Sequence, residues 1–378
     1  MDKSSQSNTP TTYQKWAVIM AGGIGERFWP LSTPQHPKQL LPLGNNNNIL
    51  LKDTIERILP LVPQDNIWLA TSEELKSIFI PLNLLPEEQI IAEPYRKNTA
   101  GCLSYVMAHL LAKYGEDAKD ITMAVITADQ LIKPIDIFIQ TVSCIMNYVA
   151  EKNTLGIIGI PPTRPETGFG YIEAGNILCD DKDTPIYAVK KFHEKPNEQV
   201  ANEYLKAGNY FWNSGMFFWK VQTFLEEIKK ANSVYWVAIT KMSEEIKRNN
   251  MDKVYAIFQD LPNISIDYAL MEKTKNIVMV KGNFCWDDLG SWTSLERIMP
   301  KDKNGNVIHG SAISLRTVNS ILYNDNSLPA TIVSTGVENL VIAVANNVIL
   351  VMDKKEAPNL KEVLGEVEKY RHQRGRNQ

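Results

Sequence analysis

Two cations, Arg27 and Lys38, follow a glycine-rich turn, Ala21-Gly22-Gly23-Ile24-Gly25, that ends the apolar run Trp16 to Met20. Glycines let a backbone approach a bulky anion, and successive N–H groups in such a turn form a concave nest for it. Arginine adds a planar fork of donors and lysine a compact point charge. This combination implies a phosphate-bearing ligand. Neither common phosphate-loop template fits. A dinucleotide fingerprint needs a third glycine where Phe28 stands, and a P-loop needs a Gly-Lys-Ser or Gly-Lys-Thr triplet that follows neither Gly22 nor Gly23. Carboxylates come next. Asp129 ends the apolar run Thr122 to Thr127, and WDDLGSW at 286–292 supplies two more acids. Magnesium takes one or two protein carboxylates and completes its octahedron with substrate phosphates and water, so these segments are candidate metal ligands. Strand-terminal aspartates also serve as helix caps or turn residues, which is the plain alternative for Asp129.

The elements that must position these groups alternate along the first 300 residues. Leu51, Ile55, Ile58 and Leu59 have helical spacing; Ile67 to Ala70 reads as a strand and Glu73 to Ile80 as a helix. A strand through Ile90 and Ile91 ends at Glu93-Pro94. Asn98-Thr99 has N-cap chemistry for a helix running through Leu110. Thr122 to Thr127 and Leu155 to Ile160 read as strands around a helix at 135–150. The alternation predicts an α/β fold, a mostly parallel sheet flanked by helices, with ligands at the carboxyl ends of its strands. GFGYIEAG, YAVKKFHEKP and YFWNSGMFFWKV are more β-like, and two helical segments follow the last. After a polar bridge at 301–306, short β runs and a helix near 359–370 predict a small β domain. The expected division is a tail at 1–13, a catalytic domain at 14–300 and the β domain at 301–378.

Composition excludes several classes. A chain of 378 residues holds one large core and a smaller second unit. Its formal net charge of −3 gives no electrostatic case for nucleic acid or an anionic membrane as partner. Cys102, Cys144, Cys179 and Cys285 form no CxxC pair and read as thiols in a reducing compartment. No apolar stretch approaches the ~20 residues of a membrane span. The opening MDKSSQSNTPTT lacks an apolar signal region, so cytoplasmic residence is expected.

The string WAVIMAGGIGERFWPLSTPQHPKQLLPL resembles the signature of the sugar-phosphate nucleotidylyltransferases, and FWPLS in particular that of the mannose-1-phosphate guanylyltransferases. The resemblance is strong over 14–300 and weak beyond. It implies a Rossmann-like (GT-A-like) mixed sheet with a left-handed β-helix at the C-terminus. It also implies transfer of GMP from GTP to mannose 1-phosphate with Mg2+. Arg27, Lys38, Asp129 and Asp288 would be catalytic, Asp129 and Asp288 holding the metal and Asp287 being a variable neighbour. Ala21, Gly22, Gly23, Gly25, Glu93 and Asn98 would join Arg27, Lys38 and Asp129 around the nucleotide. Within EPYRKNTA, Glu93 could accept from guanine N1–H and N2–H2, while Asn98 has equal claim as a base contact or a helix cap. TGFGYIEAG, FHEKP and WNSGMFFW match sugar-phosphate segments and implicate Gly170, Glu173, Glu194, Lys195 and Asn213; Asp267 in SIDYALMEK reads as structural or supporting. Two departures stand out: Glu26 where relatives have a small hydroxyl residue, and Gln130 where they have histidine.

Some bacterial relatives carry an isomerase domain for which too few residues remain here, so a single activity is expected. Oligomeric state is not readable, and a homodimer stays open. The competing readings are the same reaction with another sugar or base, a non-catalytic nucleotide-sugar-binding homologue, and a nicotinamide dehydrogenase. The four charged residues argue against the second and the failed fingerprint against the third.

Overall fold

The computed structural model describes residues 14–180 and 184–375; the tail at 1–13 lies outside them. The first half alternates β1 (Lys15–Met20), α1 (Leu50–Ile58), β2 (Ile67–Ser72), α2 (Glu73–Phe79), β3 (Ile90–Glu93), α3 (Asn98–Tyr114), β4 (Thr122–Thr127), β5 (Leu131–Lys133), α4 (Ile135–Lys152) and β6 (Leu155–Ile160). Then come β7 (Tyr171–Cys179), β8 (Ile186–His193), α5 (Glu198–Ala207), β9 (Tyr210–Lys220), α6 (Val221–Ala231), α7 (Ser233–Lys247), α8 (Met251–Gln259), β10 (Ile277–Lys281), β11 (Cys285–Asp287) and α9 (Leu295–Ile298). Three helices follow β9, not two. Asn232 has a backbone too extended for a helix, and Asn249 turns left-handed, so each breaks the helical run.

Nine strands form one sheet in the order β3-β2-β1-β4-β9-β6-β10-β8-β7. Pairing is parallel from β3 to β4 and between β6 and β10; only β8 and β9 run against the rest. β4 and β6 are near-continuous apolar runs because helices cover both faces of the sheet. Along β1 the faces alternate: Trp16 and Val18 enter the core under α3 and α7, Ala17 and Ile19 the core under α1 and α4. The α4 contribution, Phe138, Val142, Ile145, Met146 and Val149, has the spacing of one helical face. A two-stranded ribbon, β5 with β11, stands beside the sheet.

The C-terminal residues form β12 (Val307–His309), β13 (Ala312–Leu315), β14 (Ile321–Asn324), β15 (Ile332–Thr335), β16 (Leu340–Ala345), β17 (Val348–Asp353) and α10 (Leu360–Gly375). β12, β14 and β16 stack in parallel on one face of a small β domain, and β13 and β15 on another; β17 closes the first sheet in antiparallel fashion. This is the coil pattern of a β-helix. Its core is continuous with the functional loops: Val307, Ile321 and Tyr323 cluster with Phe28, Leu31, Leu289 and Trp292. Asn346 Nδ2 donates to the carbonyl of Pro30 at 2.8 Å. The β domain therefore buttresses the glycine-rich segment.

Candidate active site

The parallel run β3-β2-β1-β4 brings the ends of β1, β3 and β4 to one edge, where the glycine turn, Glu93 and Asp129 meet. Lys38 is the hub. It is buried, and its Nζ lies 2.9 Å from Asp129 Oδ2 and 2.6 Å from the main-chain oxygen of Asp288. One ammonium thus ties together segments 91 and 250 residues away in sequence. Gly25 makes this possible. Its φ of 79° is left-handed, and a Cβ there would stand 2.4 Å from Lys38 Cβ. The loop is also fixed from within: Ser32 Oγ donates to Gly25 O at 2.6 Å and Gln39 Nε2 to Gly23 O at 2.8 Å.

Arg27 is exposed, and its positive charge favours ionised Asp288. Burial pushes the Asp288 carboxyl above its ordinary range; Lys38, Arg27 and Arg297 oppose the shift and Asp287 adds to it. The two adjacent aspartates have divided their tasks. Asp287 is buried, pairs with Arg297 through both oxygens and accepts from the Leu289 amide at 2.9 Å. It braces the loop, whereas the Asp288 carboxyl stands 4.0 Å from Arg297 Nη2. Asp129 and Asp288 are oxygen donors of the type magnesium takes, and Asp129 lines a groove beside the glycine turn.

That groove is a cavity of about 330 Å³ whose lining includes Gly22, Gly23, Glu93, Asn98 and Asp129. Glu93 Oε2 is buried without a hydrogen-bond partner among the described residues, and burial raises the carboxyl to about 7 although Arg96 pulls the other way. Asn98 has φ 59° and accepts from the Thr99 amide at 2.8 Å, so it closes a local turn instead of capping a deeper amide. Ala21 is committed elsewhere. Its N–H donates to Ala70 O and its own carbonyl accepts from Thr71 Oγ1, both at 2.8 Å.

A second cluster lies beside it. Asn213 Nδ2 donates to Asp267 Oδ1 at 2.7 Å, and Asn213 Oδ1 accepts from Gly215 N at 2.8 Å, which fixes the amide's orientation. Lys195 Nζ holds Glu194 Oε1 at 2.8 Å, and Glu194 Oε2 hangs over Gly170, where a Cβ would approach it to 2.8 Å. Burial and the nearby Glu194 raise the Asp267 carboxyl, while Asn213 lowers it. Glu173 faces elsewhere, toward Lys190 at 3.6 Å and His193 at 3.5 Å.

Both departures from the resemblance find partners. Glu26 turns away from the loop to Lys361 on α10, at 3.1 Å. Gln130 is buried; its Nε2 donates to Ser214 O at 2.6 Å and its Oε1 accepts from Trp286 Nε1 at 2.9 Å. It joins the Asp129 turn to the Asn213 strand and to the Asp288 loop. The sequence marks Gln130 by its departure from the resemblance and Asp267 through the SIDYALMEK string, whereas Arg297 carries no signal there and is the residue missed.

The Nucleotidyl transferase family matches residues 16–305, and the chain belongs to it. It is an enzyme of sugar-phosphate nucleotidyl transfer. The mannose-1-phosphate guanylyltransferase of Escherichia coli is 35% identical over 360 residues, spanning 92% of this chain and 74% of that protein. The enzyme of the same name from Klebsiella pneumoniae is 36% identical over 352 residues, 92% of this chain and 72% of that one. A solved structure from Thermus thermophilus, described as a mannose-1-phosphate geranyltransferase, superposes with a TM-score of 0.81 at 31% identity, covering 94% of this chain and 99% of that chain. Among the described residues no helix is long and apolar enough to cross a membrane.

Proposed function

We propose that this chain transfers GMP from GTP to α-D-mannose 1-phosphate, yielding GDP-mannose and pyrophosphate. A phosphate oxygen of the sugar substrate attacks the α-phosphorus in line, the α–β phosphoanhydride bond breaks, and pyrophosphate leaves with its electron pair. The second pKa of a phosphate monoester is roughly 6, so the attacking group is mostly a dianion at neutral pH and needs no general base. What remains is positioning two mutually repelling polyanions and stabilising charge on the transferring group.

The observation that carries this reading is the Lys38 junction. One buried cation contacts the Asp129 carboxylate and the Asp288 backbone, between the Glu93 groove and the Glu194–Asn213–Asp267 cluster. In this assignment Gly22 and Gly23 admit the triphosphate, Arg27 and Lys38 neutralise it, and Glu93 accepts from guanine. Glu194 and Asn213 read sugar hydroxyls while Lys195 meets the sugar's phosphate. Asp129 and Asp288 would hold Mg2+, which when bound supplies further neutralisation of the phosphates. Pyrophosphate release measured across GTP, ATP, UTP and dTTP against mannose and glucose 1-phosphates tests the assignment. Strong preference for GTP with mannose 1-phosphate supports it; preference for UTP or dTTP rejects the guanine reading, and GDP-mannose binding without turnover rejects the catalytic one.

A further inference from the structure

A second cavity, of about 600 Å³, lies behind the WDDLGSW loop and shares no lining residue with the Glu93 groove. Its volume is that of a small-molecule site. Trp212, Trp286 and Phe284 supply aromatic walls, and Lys133, Arg164 and Arg297 bring positive charge. Two of these cations are already committed. Arg164 pairs with Glu166 at 3.0 Å while its guanidinium stacks 4.8 Å from the Trp212 ring, and Arg297 is held by Asp287. Lys133 is exposed on β5 and carries no ion pair among the described residues. It sits directly across the ribbon from Cys285, another exposed lining residue.

We propose that this cavity is a separate ligand site for a phosphate-bearing ring, a sugar phosphate or a nucleoside phosphate, with Lys133 meeting the phosphate and the half-buried Trp286 indole the ring, while Trp212 lies under Arg164 as part of the floor. Aromatic faces accept either a base or the C–H face of a sugar, and the excess positive charge selects an anion. The walls of this site reach the reaction centre by two contacts. Trp286 donates to Gln130, the neighbour of Asp129, at 2.9 Å, and Arg297 stands 4.0 Å from Asp288. An occupant that moves either wall residue shifts a candidate metal carboxylate, so the site is placed to regulate turnover.

Cys285 reports on occupancy. Its alkylation by iodoacetamide is followed by mass spectrometry on the full chain, with Cys179→Ser removing the other exposed thiol among the described residues. GDP, mannose 1-phosphate and inorganic phosphate are the probes. GDP or mannose 1-phosphate is expected to slow labelling several-fold. Lys133→Glu is expected to raise the concentration required about tenfold while leaving basal turnover near that of the parent; because a carboxylate across from the thiol disfavours the reactive thiolate, protection in each variant is measured against its own ligand-free labelling rate. Protection by GDP alone assigns a nucleoside phosphate, and by mannose 1-phosphate alone a sugar phosphate. Protection that survives Lys133→Glu unchanged originates in the catalytic groove and overturns the proposal. So does no protection at millimolar concentration, or protection by inorganic phosphate as strong as by either ring.

Discussion

Glu93 offers the sharpest prediction, because its half-buried carboxyl holds a buried oxygen, Oε2, with no hydrogen-bond partner among the described residues, at the place assigned to the base. With the group raised to about 7, chiefly by burial, roughly nine-tenths of it is ionised at about pH 8 and roughly one-tenth at about pH 6. Guanine presents two donors to the charged form, whereas adenine lacks the N1–H. The ratio of kcat/KM for GTP to that for ATP should therefore fall about tenfold between those pH values. Taking the ratio cancels the titration of the triphosphate itself. A glutamate at its ordinary value would be ionised throughout and give a flat profile. The stability linkage has the opposite sense: an acid raised in the folded state stabilises fully below its ordinary value of 4.5, and that contribution is lost as pH rises through about 7. Glu93→Gln should make the nucleotide ratio independent of pH and lower it throughout. A flat profile in the parent protein, or the same slope in Glu93→Gln, would mean that Glu93 does not read the base.

Other expectations follow from single contacts. Gly25→Ala forces an L side chain into a left-handed φ, worth about 1–2 kcal/mol, and drives its Cβ into Lys38. Urea denaturation should register at least that loss and turnover should fall with it; stability within about 0.5 kcal/mol of the parent would contradict the geometry. Lys195→Ala removes a charge-assisted contact and should raise the KM for mannose 1-phosphate about tenfold with the KM for GTP unchanged; an unaltered sugar-phosphate KM dismisses that role. Glu26→Ala breaks only the exposed pair with Lys361 and should cost under about 1 kcal/mol with kcat retained. A large loss of activity would mean that Glu26 works in the loop after all.

Much of this architecture was legible in the chain, for identifiable reasons. β4 and β6 are apolar runs of strand length, the pattern expected of a sheet covered on both faces, and their predicted limits coincide with the observed strands. The convergence of the glycine turn with Asp129 followed from strand ends sharing one edge of the parallel half. What stayed hidden depends on contacts between distant segments. The resemblance alone separates Asp288 from Asp287, and nothing local in DD says that Asp287 will bind Arg297 through both oxygens. Gln130 looked like a defect and is a clamp, because an amide can donate to Ser214 and accept from Trp286 at once. Glu173 matches a motif, and its contacts with Lys190 and His193 come from a bulged pairing of β7 with β8 that periodicity does not show. The buttressing of the glycine segment by the β domain rests on packing from chain ends more than 300 residues apart, beyond any periodicity.

Charge neutralisation at the junction of Lys38, Asp129 and Asp288 is probed by single-turnover formation of GDP-mannose in Asp288→Asn. With saturating GTP, mannose 1-phosphate and Mg2+, and folding verified by urea denaturation, the rate should fall by about 10²–10³-fold, the scale for removing one group aimed at transition-state charge. A rate within about twofold of the parent enzyme would contradict the claim that this carboxylate takes part in the transfer.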